Sequence, residues 1–543
     1  MKIYLTFLMF FISFLFFAQA PSIAWQKRIG SDKYDFGSSI KPTSDGGFII
    51  GGRSHSNAFF EKTSYNRGGS DYWIVKTDSQ GNIEWDKTIG GAQTPGLSPS
   101  YEFEILTTIF QTPDGGYFVA GSSSSPMSGE KTESSRGSYD YWVLKLSSTG
   151  AIEWQKTIGG NVTEKLWSAI YTQDGGYLLS GNSFSNASGE KSEDSRGDSD
   201  MWIVKLSGNG SIEWQKTIGG AGRDGVTDAI QNQNGTFTMV GSSDSNISGE
   251  KTENNHGGAD VWILTLDNLG NILYQKTIGG SASDAGYGII ATTDGNYLIA
   301  ATSNSNISGD KTENCKGGQD IWIIKTDYLF NIMWQKTFGG NKDEGLKKPL
   351  QTFDNGYLIS SISLSGISGD KITALLGSSD AWLLKLAPDG QLYWQKTIGG
   401  NASGIYRGSD SLVDFMQSAD GGFVLFGNTD SDISGDIVDF SRGDDDYWLV
   451  KLNPENLSTL NFNSEDKIQL LPNPAINDIS IIENSGNQED FLFKIIDVTG
   501  RIIIEGKTST NEKINIGKLV IGNYFIKLER TSGIESCEKF FKY

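Results

Sequence analysis

Hydrophobic and polar residues alternate in short runs along most of the chain, and glycine-rich turns separate the runs. Between residues 166 and 218, "LWSAIYTQ", "YLLSGNS", "MWIVKLS" and "SIEWQKTI" each mix β-branched or aromatic residues with polar ones. A period of two is typical of β-strands. The intervening Asp-Gly-Gly and Gly-Asn-Gly segments tolerate positive φ in tight hairpins. The pattern predicts a unit of four antiparallel strands, named A, B, C and D in chain order.

Three landmarks of this unit recur seven times between residues 23 and 452. An Asp-Gly or Asn-Gly turn joins strands A and B, the Asp of a D-x-W triplet precedes strand C, and an aromatic-Gln/Asp-Lys triplet marks strand D. The turn and the D-x-W are always 26 residues apart, as from Asp174 to Asp200. Length varies only in the D–A connection, which is longer in "AQTPGLSPSYEFE" (92–104) and near "NASGIYRGSD" (401–410). The regular spacing indicates one repeated structural unit.

Seven four-stranded units predict an all-β fold, a seven-bladed β-propeller. The repeats begin with a lone strand D, "IAWQKRI" (23–29), and the last unit, ending at "DDYWLVKLN" (445–453), lacks that strand. We expect the N-terminal strand to complete the last blade, because an unpaired strand edge would otherwise remain. Ile23, Trp25 and Ile29 would each gain roughly 1.5–3 kcal/mol if fully buried there. An open β-solenoid is the alternative, but it gives no reason for complementary half-units.

The repeat has a recognisable relative. "TIGGSASDAGYGIIATTDGNYLIAATSNSN" (277–306) resembles the bacterial β-propeller repeat, whose pattern includes GGS, DG and YV.GxTxS segments. The likeness extends over residues 23–452 in seven copies. It implies architecture and no particular activity, because that repeat family has no shared chemistry.

The C-terminal segment differs from the repeats. Residues 453–467 are polar and read as a linker, and 468–543 contain short β-rich runs that predict a small β-sandwich. This segment resembles the type A C-terminal sorting domain of Bacteroidota type IX secretion cargo. The resemblance implies outer-membrane export through the type IX machinery, then anchoring on the cell surface or release. Its matching residues, in "LPNP", "DVTGR", "LVIGNY" and the basic tail, are Pro472, Asn473, Pro474, Gly500, Arg501, Gly522, Tyr524 and Lys542.

The N-terminus has the features of a signal peptide. Lys2 precedes an apolar run that ends at a small-x-small pattern, Ala18-Gln19-Ala20. The predicted organisation is a signal peptide at 1–20, the propeller at 21–452, the linker at 453–467 and the sorting domain at 468–543. No other segment approaches ~18 apolar residues, so the mature chain is expected to have no integral membrane segment. We expect a secreted or cell-surface monomer.

Charge narrows the range of partners. The net charge is −20, and residues 465–543 hold twelve acidic and ten basic residues, so most of the excess falls on the repeats. This argues against nucleic acid, since phosphate binding needs clustered Lys and Arg, and against unaided docking on an anionic membrane. The two cysteines, Cys315 and Cys537, are far apart in sequence, and we expect both to be unpaired.

Motifs for catalysis are absent from the sequence. His55 and His256 have no metal-ligand spacing, and there is no H-E-x-x-H, paired C-x-x-C or G-x-S-x-G. No catalytic residue or cofactor is therefore predicted. A metal candidate is the calcium-loop-like start formed by Asp430, Asp432 and Asp436, which lacks a bidentate Glu at the twelfth position. A simple Asx/Ser-rich turn is the alternative there.

Candidate ligand contacts come from the irregular parts of the repeat. Thirteen of the fourteen tryptophans occupy the two aromatic landmarks and are expected in the core, whereas Trp167 lies near the predicted channel, where it packs or contacts a ligand. The two long D–A connections leave one face of a propeller, and local insertions can create an asymmetric site. The predicted contact residues are Tyr101, Phe103, Tyr406 and Arg407. Neutral drift of loop length is the alternative explanation.

Three functions agree with these observations. The leading one is an exported, non-catalytic propeller that binds a glycan, a surface polymer or a protein. The second is a secreted polysaccharide hydrolase or lyase that uses channel carboxylates; paired acids would be required, and none stands out. The third is a structural component of the cell surface. A glycan array and a polysaccharide-degradation screen separate the three.

Overall fold

The computed structural model describes residues 19–92, 104–401, 408–455, 468–473, 475–483, 490–497, 501–520, 522–530 and 535–542. Most of the predicted signal peptide, residues 1–18, lies outside them. The chain divides into two compact units, Met1–Glu455 and Asn456–Tyr543, which are described separately. Within the described residues, no helix is long and apolar enough to cross a membrane.

The described part of the first unit forms seven antiparallel sheets. The chain starts with β1 (Ile23–Ile29), which belongs to the last of them. Sheets 1 to 3 each take four consecutive strands: β2 (Asp35–Pro42), β3 (Phe48–Ser54), β4 (Asp71–Thr77) and β5 (Ile83–Ile89); β6 (Glu104–Gln111), β7 (Tyr117–Ser123), β8 (Asp140–Leu146) and β9 (Ile152–Ile158); β10 (Glu164–Tyr171), β11 (Tyr177–Ser183), β12 (Asp200–Leu206) and β13 (Ile212–Ile218).

Sheets 4 to 7 continue the pattern. Their strands are β14 (Asp224–Gln231), β15 (Phe237–Ser243), β16 (Asp260–Leu266) and β17 (Ile272–Ile278); β18 (Asp284–Ala291), β19 (Tyr297–Ser303), β20 (Asp320–Thr326) and β21 (Ile332–Phe338); β22 (Glu344–Leu346), β23 (Leu350–Gln351), β24 (Tyr357–Ser363), β25 (Asp380–Leu386) and β26 (Leu392–Ile398); and β27 (Asp410–Gln417), β28 (Phe423–Thr429) and β29 (Asp446–Leu452), with β1 as the fourth strand of sheet 7. The all-β, four-stranded prediction is confirmed.

Burial along the strands explains why these sequences form sheets. Strand C is buried along its whole length, as in Asp200–Leu206, because it lies inside its sheet and between two neighbouring sheets. Strand D, as in Ile212–Ile218, is only partly covered and keeps polar residues such as Gln215 and Lys216. The continuous apolar run of strand C and the mixed run of strand D reflect these two environments.

The sheets close into a ring, as a propeller requires. A separate hydrophobic core lies between each pair of neighbouring sheets, and the core between sheets 7 and 1 includes Phe426 and Tyr447 from one side and Ile50 and Trp73 from the other. First strands of neighbouring sheets contact one another, for example β2 with β6 and β14 with β18, so strands A surround the centre. The β-propeller prediction is confirmed.

The N-terminal strand completes sheet 7, as predicted. β1 pairs antiparallel with β29, with Arg28 opposite Trp448 and Ile29 opposite Tyr447. Asn453 N also donates to Ser22 O at 2.9 Å. Strand pairing therefore joins the two ends of the repeat array, and β29 has no unpaired edge.

Sheet 6 is the irregular one on its inner side. Its strand A is divided into β22 and β23, with Lys347, Lys348 and Pro349 between them. Proline cannot donate a ladder hydrogen bond, which explains the interruption. The Lys348 backbone and the Pro349 ring pack against Gly288 of sheet 5, where a β-carbon would lie only 2.6 Å from the Lys348 Cα.

The described part of the second unit contains two sheets that share a core. One joins β30 (Ile468–Leu471), β31 (Asp478–Glu483) and β34 (Lys513–Asn515); the other has the order β33 (Ile502–Ser509), β32 (Asp490–Asp497), β35 (Gly522–Arg530) and β36 (Glu535–Lys542). Ile479 and Ile481 of the first sheet pack with Ile495, Ile526 and Phe540 of the second. This is the small β-sandwich that the sequence predicts.

Candidate functional site

The B–C loops and the D–A connections meet on one side of the propeller, here called the loop face. In sheet 3, Glu190 N donates to Gly159 O at 3.0 Å, and Asn161 N donates to Ser188 Oγ at 3.1 Å. The described starts of the two long connections make the equivalent contacts. Ala92 N donates to Ser128 Oγ at 2.7 Å, and Asn401 N to Ser434 Oγ at 2.8 Å.

Most residues that recur in the B–C loops hold the loop itself together. In sheet 3 the Lys191 ammonium is buried and donates to Glu193 O. Asp194 Oδ1 accepts a hydrogen bond from Ala187 N at 2.9 Å, and Asp200 Oδ2 accepts one from Arg196 N. These side chains satisfy backbone amides that the loop would otherwise leave unpaired. A functional residue is therefore to be sought where a loop departs from the pattern.

The first B–C loop departs most strongly, at Phe59 and Phe60. Phe60 has φ +48°, and the six other loops place glycine at this position with φ between +53° and +57°. A bulky residue in this region is strained. The Phe59 and Phe60 side chains are nevertheless exposed, at 54% and 58%, with ring centroids 4.5 Å apart. The loop thus keeps an exposed aromatic pair, with a strained backbone at Phe60, where the other loops have a glycine.

A second exchange accompanies the aromatic pair. In sheet 4, Gly220 lies against Ser245 and Ser248, and a β-carbon on Gly220 would lie only 2.7 Å from Ser248 Oγ. In sheet 1, Ser31 occupies the position of Gly220 and Phe59 occupies the position of Ser248. Ser31 Oγ donates to Asn57 O and Phe59 O, both at 3.1 Å. The serine hydroxyl thus bonds to the backbone of the loop that carries Phe59.

Two further aromatic residues occupy another loop position in sheets 1 and 7, Tyr65 and Phe440. In sheets 2 to 5 the residue there caps an amide, as when Asn254 Oδ1 accepts from Ile247 N at 3.0 Å. Tyr65 and Phe440 are instead 69% and 68% exposed. We call Phe59, Phe60, Tyr65 and Phe440 the junction patch, because they lie on the two sheets where the ring closes.

Arg442 links the two loops of the junction patch. Its guanidinium donates to Phe440 O at 2.7 Å and to Glu61 Oε1 at 3.1 Å, and its Cζ lies 6.0 Å from the centre of the Phe60 ring. Acidic groups lie on the same loop: burial, followed by the nearby Asp430 and Asp444 carboxylates, raises the pKa of Asp445 to about 7. Arg442 and Glu61 thus place a guanidinium and a carboxylate beside the aromatic rings of the junction patch.

The four ligand contacts predicted from the sequence, Tyr101, Phe103, Tyr406 and Arg407, lie outside the described residues. Their connections start at Ala92, against the sheet 2 loop, and at Asn401, against the sheet 7 loop. In the order of the ring, the junction patch on sheets 7 and 1 therefore falls between these two starts. The junction patch was not found by sequence reasoning, although comparing the seven loops position by position reveals it.

The three calcium candidates contact separate backbone amides. Asp430 Oδ1 accepts from Ser409 N at 2.6 Å, Asp432 Oδ1 from Ser441 N at 3.3 Å and Asp436 Oδ2 from Gly399 N at 3.2 Å. Over the described ranges, no group of three or more His, Cys, Asp or Glu side chains could hold a metal ion. These contacts fit the Asx-turn alternative, and calcium binding stays a prediction.

The inner strands provide a second asymmetric region. Trp167, at the bulge of β10, is 50% exposed, and Tyr287, at the corresponding bulge of β18, is also exposed. Lys348 of sheet 6 reaches Asp228 of sheet 4, with Nζ to Oδ2 at 2.9 Å, across the gap left by Gly288. Asp228 Oδ2 also accepts from Ile289 N at 3.0 Å. With Ser168 Oγ of sheet 3 donating to Asp228 Oδ1 at 3.4 Å, this carboxylate joins four sheets, which indicates a structural role.

The motif residues of the second unit have visible structural roles. Asn473 pairs with the last strand: its Nδ2 donates to Lys539 O and its Oδ1 accepts from Phe541 N, both at 3.0 Å. Arg501 Nε donates to Asp497 Oδ2 at 3.1 Å. Tyr524 is buried against Phe540 and donates to Val520 O, Gly522 begins β35 and Lys542 is buried. Pro474 and Gly500 lie outside the described residues.

Comparison with known proteins identifies this second unit. Residues 469–542 match the family model of the secretion system C-terminal sorting domain. The protein is thus cargo for type IX secretion and is located on the cell surface or in the medium. No curated protein matches the chain.

Several solved structures resemble the chain distantly. Hydrazine synthase of Kuenenia stuttgartiensis is 11% identical, with 61% of this chain and 78% of that chain covered and a TM-score of 0.36. A Dyadobacter fermentans protein of unknown function is 12% identical, with 80% and 99% covered and a TM-score of 0.40. The extracellular domain of a hybrid two component system from B. thetaiotaomicron is 10% identical, with 93% and 67% covered and a TM-score of 0.29.

Proposed function

We propose that this exported propeller binds an extracellular glycan through the junction patch and does not act on it chemically. The observation that carries the proposal is Phe60, which keeps a strained backbone where six equivalent loops use glycine. Strained residues persist where the surroundings or function require them. The ring is 58% exposed, and the contacts described for it are with Phe59 and Arg442 on the same surface rather than with the core.

The composition of the patch supports a sugar polymer. Aromatic rings offer flat apolar surfaces, and binding sites combine such surfaces with a few placed polar groups. Here Arg442 and Glu61 form an ion pair beside the Phe60 ring. The net charge of −20 disfavours a polyanion. A neutral polysaccharide is therefore the ligand class that we propose.

The test compares binding by the mature chain and by loop variants. A glycan array and pull-down with insoluble polysaccharides should give binding that Phe60→Gly and Phe440→Ser each reduce at least tenfold. The matched control is Ile247→Ala, which removes an equally exposed apolar side chain from the sheet 4 loop and should leave binding unchanged. No glycan bound by the wild-type chain would contradict the proposal. Binding that both patch variants retain would place the site elsewhere on the protein.

A further inference from the structure

Each interface between neighbouring sheets buries two carboxyl groups side by side. Between sheets 3 and 4 they belong to Asp200, of the D-x-W triplet, and Asp224, at the start of strand A. Asp224 N donates to Ser199 O at 2.8 Å, and Ser199 and Arg223 form a parallel bridge, which sets the two acids next to each other. All of these side chains are fully buried, and the seven pairs are Asp71/Glu104, Asp140/Glu164, Asp200/Asp224, Asp260/Asp284, Asp320/Glu344, Asp380/Asp410 and Asp446/Asp35.

In each pair, hydrogen bonds reach some of the carboxyl oxygens and leave at least one oxygen without a donor. Asp224 Oδ2 accepts from Gly220 N at 2.6 Å and from Ser245 Oγ at 2.8 Å, and Asp200 Oδ2 accepts from Arg196 N. Asp200 Oδ1 and Asp224 Oδ1 are both buried without a partner, and the same is true of Asp260 Oδ1 and Asp284 Oδ1. A buried acceptor without a donor is costly, and two adjacent buried negative charges are more so.

The buried cations near these pairs are fewer than the buried carboxyl groups. One buried lysine lies between consecutive pairs: Lys191 faces Glu164 and Asp200, and Lys251 faces Asp224 and Asp260. The Lys251 ammonium bonds to the hydroxyl Thr277 Oγ1 at 2.6 Å. On the loop-face side, sheets 1 to 6 therefore each bury two carboxyl groups and one lysine ammonium, and sheet 7 has the Arg28 guanidinium in place of the lysine. If all of these buried groups were ionised, each sheet would carry one uncompensated negative charge there.

We propose that each pair is closed by one shared proton, so that the folded propeller binds a ring of protons that the unfolded chain releases at neutral pH. In each pair one carboxyl group donates its O–H to the unpartnered oxygen of the other. The proton cancels the extra negative charge and supplies the missing donor. A metal ion would need further ligands, and among the described residues no group of three or more His, Cys, Asp or Glu side chains could hold one.

The pKa values of several of the paired acids agree with a shared proton. Burial raises the pKa of Asp140 to about 6, of Glu344 to about 7 and of Glu104 to about 8, and it raises the pKa of Asp200 and Asp260. The charged groups around the Asp200/Asp224 pair are Lys191, Lys251, Arg196, Arg223, Asp198, Asp244 and Glu250. A raised acid pKa means that stability is greatest below the unfolded pKa and falls as pH rises through the folded pKa.

Infrared spectroscopy of the mature chain tests the proposal directly. At pH 7 the native protein should show the C=O stretching band of protonated, buried carboxyl groups, and the band should disappear on unfolding. Asp200→Asn supplies an amide N–H in place of the shared proton. It should remove about one-seventh of the band, one pair of the seven interfaces, and reduce the fall in Tm between pH 5 and pH 8. The matched control, Asp198→Asn, changes an exposed carboxylate two residues away and should alter neither.

Two outcomes would overturn the proposal. One is a native spectrum at pH 7 without the protonated-carboxyl band, which is measured on the wild-type chain and does not depend on whether a variant folds. The other is a rise in wild-type Tm with added calcium that Asp200→Asn abolishes, because this would identify the pair as a cation site. Neither outcome bears on glycan binding, so the two proposals fail independently.

Discussion

Sheets 3 and 7 have the same four strands but solve one electrostatic problem differently. In sheet 3 a loop lysine, Lys191, lies beside the buried acids, and the strand D residue opposite Trp202 is Thr217. In sheet 7 the loop position holds Ile437, and the strand D residue opposite Trp448 is Arg28. The buried cation thus lies on the loop in sheet 3 and on the N-terminal strand in sheet 7. The strand that closes the ring therefore also contributes the buried positive charge.

The Arg28 side chain is buried, and its guanidinium is hydrogen-bonded to both a carboxylate and backbone carbonyls. It is 1% exposed, its Nε donates to Asp446, and its other nitrogens donate to Ser431 O and, at 3.1 Å, to Thr429 O. Removing one partner of a buried ion pair leaves the other charge without compensation. The difference teaches that the closing sheet depends on its last strand more than a continuous sheet does, and the following changes test this from the largest expected effect to the smallest.

Deleting residues 21–30 should have the largest effect. The deletion exposes the edge of β29, removes the apolar contacts of Ile29 and leaves Asp446 without a cation. We expect loss of the cooperative thermal transition, or a fall in Tm of more than about 10 °C, measured by circular dichroism. The deletion removes a whole strand, so its cost in unfolding free energy should exceed the roughly 4–5 kcal/mol that is already exceptional for a single substitution. The control is the chain with residues 1–20 removed. An unchanged Tm would refute closure by β1.

Arg28→Thr gives sheet 7 the residue that sheet 3 has, without the lysine that goes with it. It should cost about 3–5 kcal/mol of unfolding free energy in urea titrations, the usual cost of breaking a buried ion pair. The double variant Arg28→Thr/Ile437→Lys restores both members of the sheet 3 arrangement and should recover at least half of the loss. If the double variant were less stable than Arg28→Thr, the proposed exchange of cation positions would be wrong.

The sequence predicted the fold well because its signal is repeated. The strand boundaries differ, however, in an instructive way. Strand A of sheet 3 was expected to start at Leu166 and strand C at Met201, but the strands begin at Glu164 and Asp200. An acid before a strand is usually taken as a polar end. Here both acids are buried in the interface and paired, which only the packing of two sheets reveals.

The candidate site was predicted less well, for a related reason. Because the seven repeats are so alike, their differences in length are the most visible irregularity in the sequence. The predicted contact residues in the two long connections lie outside the described ranges. Phe60 and Arg28 change no length; each replaces a residue that six other repeats keep as glycine or threonine. Their importance follows from a positive φ and from a buried ion pair, which a sequence pattern does not report.

Phe60→Gly should change stability by a smaller amount and in the opposite direction. Phe60→Gly should stabilise the protein by about 1 kcal/mol. The left-handed conformation costs a residue with a side chain roughly 1–2 kcal/mol, and the greater conformational entropy of glycine in the unfolded chain offsets part of that gain. The matched inverse, Gly189→Phe in the sheet 3 loop, should destabilise, since a β-carbon would lie 2.2 Å from Gly159 O. Denaturant titrations measure both. Loss of stability in Phe60→Gly would mean that the ring is part of the packing rather than of a binding surface.

The smallest effect is expected far from the closure, at Lys205 on the side opposite the loop face. Its buried ammonium bonds to Asp174 Oδ2 at 2.9 Å and Glu213 Oε2 at 3.0 Å, both of which are largely exposed. Sheet 4 has Asn234, Thr265 and Leu273 instead, and Thr265 Oγ1 lies 3.0 Å from Thr238 Oγ1. Lys205→Thr should therefore cost no more than about 1 kcal/mol, since exposed ion-pair partners contribute little, and the triple variant Asp174→Asn/Lys205→Thr/Glu213→Leu should cost less. A loss as large as that of Arg28→Thr would show that continuous sheets depend on their charges as much as the closing one.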